Sequence, residues 1–410
     1  MNTKTNDASG RGLVEGFKVP FPGRMYAYTD EEISAVTEVM QESSAGLTQG
    51  PRMRKFEVDF KEYTEANHVF AVDNATNALR LAAILCELTP EDEVIIPAYT
   101  FCASAIPFGK TGAKIIWSDI DERRRVVDPK DIERKITSKT KAVVVVHLLG
   151  MPVDMEAVME LAEKHNLRVI EDCAQAPGAS INGKQVGTFG DFGCFSFHGA
   201  KNMTTLGEGG MLTVRSDKDA ALIPGIRHNG CRGFEGERER YWIPAMSNVD
   251  IDISGVWPSN FCIGEPQCAI GSMLLKRLDK INDTLICQGK KIIKALADTP
   301  EISFHEIPDG CKMIFHQFVM HFDGSAFGKN RNDLMNLLVD KHKIRAIVQY
   351  YPLYRYPLFQ KLGAGEHDCP VLEKWWDNSL SFPWWCGMPD ETLDYLVNSL
   401  KASIKELKNS

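Results

Sequence analysis

The run Val169-Ile-Glu-Asp-Cys-Ala-Gln-Ala-Pro-Gly178 decides how this chain is read. Its apolar lead predicts a short buried strand, and the small residues ending in Pro-Gly predict that the strand stops there. Asp172 and Gln175 are thereby delivered to its carboxyl end. Strands of the same kind are predicted at Val69–Val72, Glu93–Ile96, Lys114–Trp117 and Lys141–Val146. Helices over Asn77–Leu88, Asp128–Ile136 and Met155–His165 separate them. Continuous β-branched runs such as Ala142–Val146, alternating with helices, predict a mainly parallel sheet covered on both faces. In such sheets ligands gather at the carboxyl ends of the strands.

Downstream, Phe195-Ser-Phe-His-Gly-Ala-Lys-Asn202 reads as another strand that ends in Ser196 and Lys201. Gly207-Glu-Gly-Gly210 then turns the chain into a strand at Met211–Val214. A carboxylate, an amide, a hydroxyl and a lysine at successive strand ends form the set that pyridoxal phosphate requires. Lysine alone supplies an amine on a long arm to condense with the cofactor aldehyde. Asp172 beside the pyridine nitrogen keeps it protonated, so the ring accepts electrons. Gln175 is placed to donate to the ring oxygen, and Ser196 to bind the phosphate. Upstream, Asp73-Asn-Ala-Thr-Asn-Ala-Leu79 joins a strand to a helix and exposes N–H groups at a helix start, an anion site. Thr76 and Asn77 are the phosphate candidates there. Pro97-Ala-Tyr-Thr-Phe101 offers Phe101 as the stacking partner of the ring.

Taken in order, Ile-Pro-Ala-Tyr-Thr-Phe (96–101), His147 before Gly150, Glu-Asp-Cys-Ala-Gln-Ala (171–176), Ser-Phe-His-Gly-Ala-Lys-Asn (196–202) and Gly-Glu-Gly-Gly (207–210) resemble the DegT/DnrJ/EryC1/StrS aminotransferases, from about residue 21 to 405. The resemblance implies a fold type I α/β transferase acting as a homodimer, with active sites shared across the interface. It implies glutamate or glutamine as amino donor and a keto-sugar, often nucleotide-linked, as acceptor. The segment Ser259-Asn-Phe-Cys-Ile-Gly-Glu-Pro-Gln-Cys-Ala-Ile-Gly271 is similar to the family's interface element, which gives Asn260 the role of reaching the neighbouring subunit's phosphate. Cys262 stands where an arginine is usual and Tyr354 where a histidine is frequent; both positions are expected on the substrate side. The Ser-Asn-aromatic-Cys version is similar to the branch that acts on keto-cyclitols. A dehydratase on the same scaffold carries histidine in the lysine position, which Lys201 argues against. A regulatory protein that binds the cofactor without turnover is the rival from another class.

The remaining features set the surroundings. Residues 1–20 are polar and read as a flexible lead-in, 21–270 as a large α/β domain, and 271–410 as a smaller α+β domain. The latter opens on a long helix around Leu274–Ala297, passes a turn-rich stretch at Tyr350–Pro370 and closes on a helix over Glu391–Leu407. A net charge of -8 over 410 residues argues against nucleic acid or an anionic membrane as partner. The eleven cysteines lack the paired short spacing of zinc or redox sites, so no metal is expected. Their odd number fits a reducing compartment, and no run has the roughly 18 apolar residues of a membrane span, so a cytoplasmic protein is expected. The mixed-charge run Arg227–Arg240 reads as a solvated loop, and Trp375, Trp376, Trp384 and Trp385 as packing.

Overall fold

A computed structural model describes residues 16–20, 25–42, 46–231 and 249–410. Seven strands make the central sheet: β1 (His68–Val72), β2 (Glu93–Pro97), β3 (Lys114–Ser118), β4 (Thr140–Val146), β5 (Arg168–Asp172), β6 (Phe192–Ser196) and β7 (Gly210–Val214). Their spatial order is β1-β7-β6-β5-β4-β2-β3. All neighbours are parallel except β7, which runs antiparallel to both β1 and β6. Every residue of β6 and β7 is buried, as expected of strands covered on both faces. The helices are α1 (Asp30–Gln41), α2 (Pro51–Thr64), α3 (Ala75–Leu85), α4 (Pro129–Lys135), α5 (Met155–His165), α6 (Asp217–Arg227), α7 (Glu265–Leu275), α8 (Leu278–Ala295) and α9 (Asp390–Lys408), beside shorter turns. The C-terminal part carries a second, antiparallel sheet of Ile302–Ser303, Val319–Phe322 and Ser379–Ser381. The larger of two apolar clusters among the described residues runs through both parts, from Val72 and Ile96 to Leu285, Phe318 and Leu396, and the second gathers Phe56, Phe60, Phe195 and Phe197. No helix among the described residues is long and apolar enough to cross a membrane.

Three expectations need correction. The helix predicted from Leu274 is two helices, because the chain turns at Arg277, whose φ of -113° and ψ of 5° lie outside the helix. That side chain leaves the helical line to bind Glu32, Nε to Oε1 at 2.6 Å, and to lie over the Tyr26 ring. Arg227 is no solvated residue; it ends α6 buried, with Nη1 2.7 Å from Glu57 and 2.8 Å from the Ala71 carbonyl. Residues 232–240 of its run lie outside the described residues. At the end of the polar lead-in Val19 is buried and bridges to Ile344, with Arg345 donating its N–H to the Val19 carbonyl.

Because side chains alternate along a strand, Glu171 and Asp172 leave β5 on opposite faces. Glu171 is wholly buried, and both its oxygens are filled. Oε1 accepts the N–H groups of Phe189 and Gly190; Oε2 accepts those of Gly187 and of the His147 ring. The Val153 N–H donates to His147 Nδ1, so the ring proton sits on Nε2 and points at Glu171. Cys173 Sγ lies within 4.8 Å of both groups, but the carboxylate has no lone pair free for an ion. Replacing Glu171 by glutamine sets an NH2 against two N–H donors in either orientation of the amide. The expected result for Glu171→Gln is a stability loss of about 3 kcal/mol or more, read from the urea midpoint of the cofactor-free protein; a loss below about 1 kcal/mol contradicts the assignment.

Candidate active site

The carboxyl ends of β1, β2, β4, β5 and β6 open on one cavity of about 620 Å³. Thr76, Phe101, Asp172, Gln175, Ser196 and Lys201 line it together. Its far wall comes from the C-terminal part, through His316, Gln317, Gln349, Tyr350 and Trp384. His316, Gln317, Gln349 and Tyr350 were missed in the sequence, where they stand in short irregular segments with no spacing to mark them, and Trp384 was read as packing.

Asp172 ends β5 and is buried. Its Oδ2 accepts the Ser104 hydroxyl at 2.7 Å, and its Oδ1 accepts the Ala174 N–H at 3.0 Å. Thr100 lies 2.8 Å from the same Ser104 oxygen. Burial pushes the Asp172 carboxyl above its usual range; these hydrogen bonds and the charge of Lys201 work against that push. Lys201 has no hydrogen bond or ion pair at its ammonium among the described residues. Burial lowers it to about 8, opposed by Asp172 and Glu208. Carboxylate and amine thus face one cavity without neutralising each other directly, which leaves both available to a third group.

Gln175 is held at both ends. Its Oε1 accepts the Leu149 N–H at 2.7 Å, and its Nε2 donates to the Tyr350 hydroxyl at 2.8 Å, which leaves one amide hydrogen without an acceptor among the described residues. Leu149 sits at φ +60°, a left-handed conformation costly for a branched residue and stored beside the site. Phe101 is 54% exposed, with its ring edge-on to Tyr350. Ser196 is buried at the end of β6, opposite Gly210 of β7, and lines the cavity together with Ala75 and Thr76.

At that start the first-turn N–H groups of Ala75 and Thr76 have no acceptor among the described residues, a donor pair ready for an anion. Asn77 is occupied: its N–H is capped by Asn74 Oδ1, and its side chain donates to both oxygens of Asp73. It does not line the cavity. Gly210 lets β7 pass beneath this turn, since a Cβ there would stand 2.6 Å from the Asn74 carbonyl carbon. Asn260 lies outside this chain's own cavity, exposed and bridged to His228, with its Oδ1 accepting the Cys262 N–H. Tyr354 departs from the substrate side on which it was expected. It is buried, stacked on His367 at 3.7 Å and bonded to Glu373. Trp375 packs against Tyr99, whereas Trp384 faces the cavity and donates to the Phe315 carbonyl.

The donor set fits pyridoxal phosphate: open N–H groups for a phosphate, a buried carboxylate for a pyridine N–H, and a depressed lysine for an aldehyde. Neutral amine is the nucleophilic form, and its fraction rises as pH passes upward through the pKa. In the cofactor-free protein, the labelling rate of Lys201 by an amine-selective reagent should therefore climb through about pH 8. Peptide mapping against Lys201→Ala isolates this signal. A midpoint near the ordinary 10.5 contradicts the site.

The pattern of the DegT/DnrJ/EryC1/StrS aminotransferase family matches residues 27–401. The chain is 32% identical over 384 residues, 92% of its length and 95% of the other's, to the spore coat polysaccharide biosynthesis protein SpsC of Bacillus subtilis (strain 168). It is 30% identical over 375 residues, 92% and 94% of the two chains, to a UDP-N-acetyl-3-dehydro-alpha-D-glucosamine 3-aminotransferase of Acidithiobacillus ferrooxidans. An aminotransferase structure from Psychrobacter cryohalolentis superposes with a TM-score of 0.85 at 26% identity, covering 96% of this chain and 100% of that one. The chain belongs to the DegT/DnrJ/EryC1/StrS family of pyridoxal-phosphate-dependent aminotransferases.

Proposed function

We propose that this aminotransferase moves an amino group from glutamate or glutamine to the keto group of a sugar or cyclitol. The observation that carries it is the convergence of Lys201, Asp172, Gln175 and Ser196 with the open start of α3 on one cavity. The acceptor class is supported by the name of the Acidithiobacillus relative, a 3-dehydro-sugar aminotransferase. When bound, the cofactor supplies an aldehyde that carries the amino group and a ring that takes up electron density from the substrate carbon.

The chain's own residues do the rest. Lys201 supplies the amine and moves the proton at the substrate carbon, a role suited to a group that titrates near 8. Asp172, held by Ser104 and Ala174, accepts the pyridine N–H. The Ala75 and Thr76 N–H groups and the Ser196 hydroxyl hold the phosphate. The remaining Gln175 Nε2 hydrogen meets the ring oxygen, and Phe101 covers the ring. Because Asn260 lies outside its own cavity, its proposed place is the phosphate of a second copy in a homodimer.

Asp172→Asn should slow the glutamate half-reaction about a thousandfold, about 4 kcal/mol of barrier. A rate within about threefold of wild type, roughly 0.6 kcal/mol, contradicts the role. Incubating the amino-loaded enzyme with a panel of inososes and free or nucleotide-linked keto-hexoses should return it to the aldehyde form, seen by absorbance. If only keto acids do so, the acceptor class is wrong.

Lys201→Ala and Asn260→Ala should each be inactive or nearly so, yet co-refolded together they should recover part of the activity. In the mixed dimer one site then carries both defects and the other neither. No recovery from two folded, dimeric variants means that Asn260 serves its own chain.

A further inference from the structure

A buried polar chain outside the cofactor constellation ends at the cavity wall. It begins at the Pro177 carbonyl, which can only accept. Asn282, fully buried on α8, must therefore turn its Nδ2 toward that carbonyl, 2.9 Å away. Its Oδ1 then faces Asn202, also fully buried, whose Nδ2 donates to it at 2.9 Å. That leaves Asn202 Oδ1 facing His316 Nδ1 at 2.9 Å. An amide oxygen accepts, so His316 Nδ1 carries the proton. Each orientation follows from the one before it, and the chain can run in only one direction.

The opposite end is what matters for chemistry. Burial holds His316 well below the ordinary histidine range, and the charges of Lys201 and His198 add to this, so the ring is neutral. With the proton on Nδ1, Nε2 is a bare lone pair. It has no partner among the described residues, and His316 lines the cavity that holds Lys201. The Leu149 carbonyl accepts the His316 backbone N–H, and the Leu149 N–H binds Gln175, so the backbone of His316 is anchored to the same turn as the proposed cofactor contact.

We propose that His316 is a substrate-binding residue whose Nε2 accepts a hydrogen bond from a hydroxyl of the acceptor. This rests on the reading of that acceptor as a sugar or cyclitol. An acceptor-only nitrogen on a buried residue selects a donor and disfavours a carbonyl or carboxylate oxygen at the same place.

Nitrogen NMR of ¹⁵N-histidine-labelled, cofactor-free protein reads the tautomer without turnover, with His316→Phe identifying the signal. The expected result is a neutral ring with bare Nε2, unchanged from about pH 5 to 8. A proton on Nε2, or titration in that window, overturns the proposal. The second measurement uses holoenzyme His316→Phe, with the two half-reactions followed separately. The glutamate half-reaction should stay within about twofold, while the KM for the best keto-substrate of the panel rises about tenfold, the equivalent of about 1.4 kcal/mol. Among singly deoxygenated analogues of that substrate, one should be penalised by wild type and no longer penalised by the variant. Equal loss in both half-reactions, or unchanged discrimination, overturns the proposal. If wild type aminates no keto-sugar or inosose, the acceptor reading itself has failed, and the NMR result stands apart from it.

Discussion

The site depends on one buried carboxylate that never faces it. Glu171 gathers three backbone N–H groups from the 187–190 turn and the ring of His147, and so joins the ends of β4 and β5 to the chain that enters β6. A charge in that position is costly unless every oxygen lone pair is matched by a donor, and here the match comes from residues distant in sequence. Because Glu171 and Asp172 are neighbours on one strand, fixing the first on one face fixes where the second projects on the other. Ser196 follows at the end of the strand whose entry Glu171 ties down. The geometry of the reactive groups is thus set from behind.

On the cavity side the same low polarity acts in the opposite sense. Asp172 and Lys201 are both pushed toward their neutral forms by burial, and each partly restores the other's charge through space. Ser104 and the Ala174 N–H keep the carboxylate oriented, whereas the Lys201 amine has no partner among the described residues. An oriented anion and an unengaged amine on one wall suit a ligand that offers a protonated ring nitrogen to one and an aldehyde to the other. Burial is the largest cause of both shifts, and only the folded chain produces it.

The C-terminal part completes the enclosure. Tyr350 reaches Gln175, His316 and Trp384 come from segments on either side of the second sheet, and the Tyr99 hydroxyl, from the strand end before Phe101, donates to the Gln349 carbonyl at 2.5 Å. The apolar core is continuous through both parts, so these walls are held in register by packing. The strained backbone of Leu149 lies where the two parts meet, with one peptide group binding Gln175 and the other His316.

What the sequence by itself determined is what periodicity and local chemistry control. Buried β-branched runs specified the strands and their mainly parallel arrangement, because only a sheet covered on both faces tolerates such continuous apolar stretches. The ends of those runs then placed Asp172, Gln175, Ser196 and Lys201 on a common edge, as the cavity shows. Asn77 illustrates the limit. Its position at a helix start was legible, but whether its amide meets a ligand or Asp73 depends on side-chain geometry that composition does not encode. The break between α7 and α8 escaped for a similar reason: no proline or glycine marks it, and it exists because Arg277 finds Glu32 and Tyr26 far away in the chain. Tyr354, Arg227 and His316 were likewise decided by tertiary partners. A hydrogen bond or ion pair between residues from 19 to 245 positions apart leaves no spacing to read, and only the folded chain brings its two halves together.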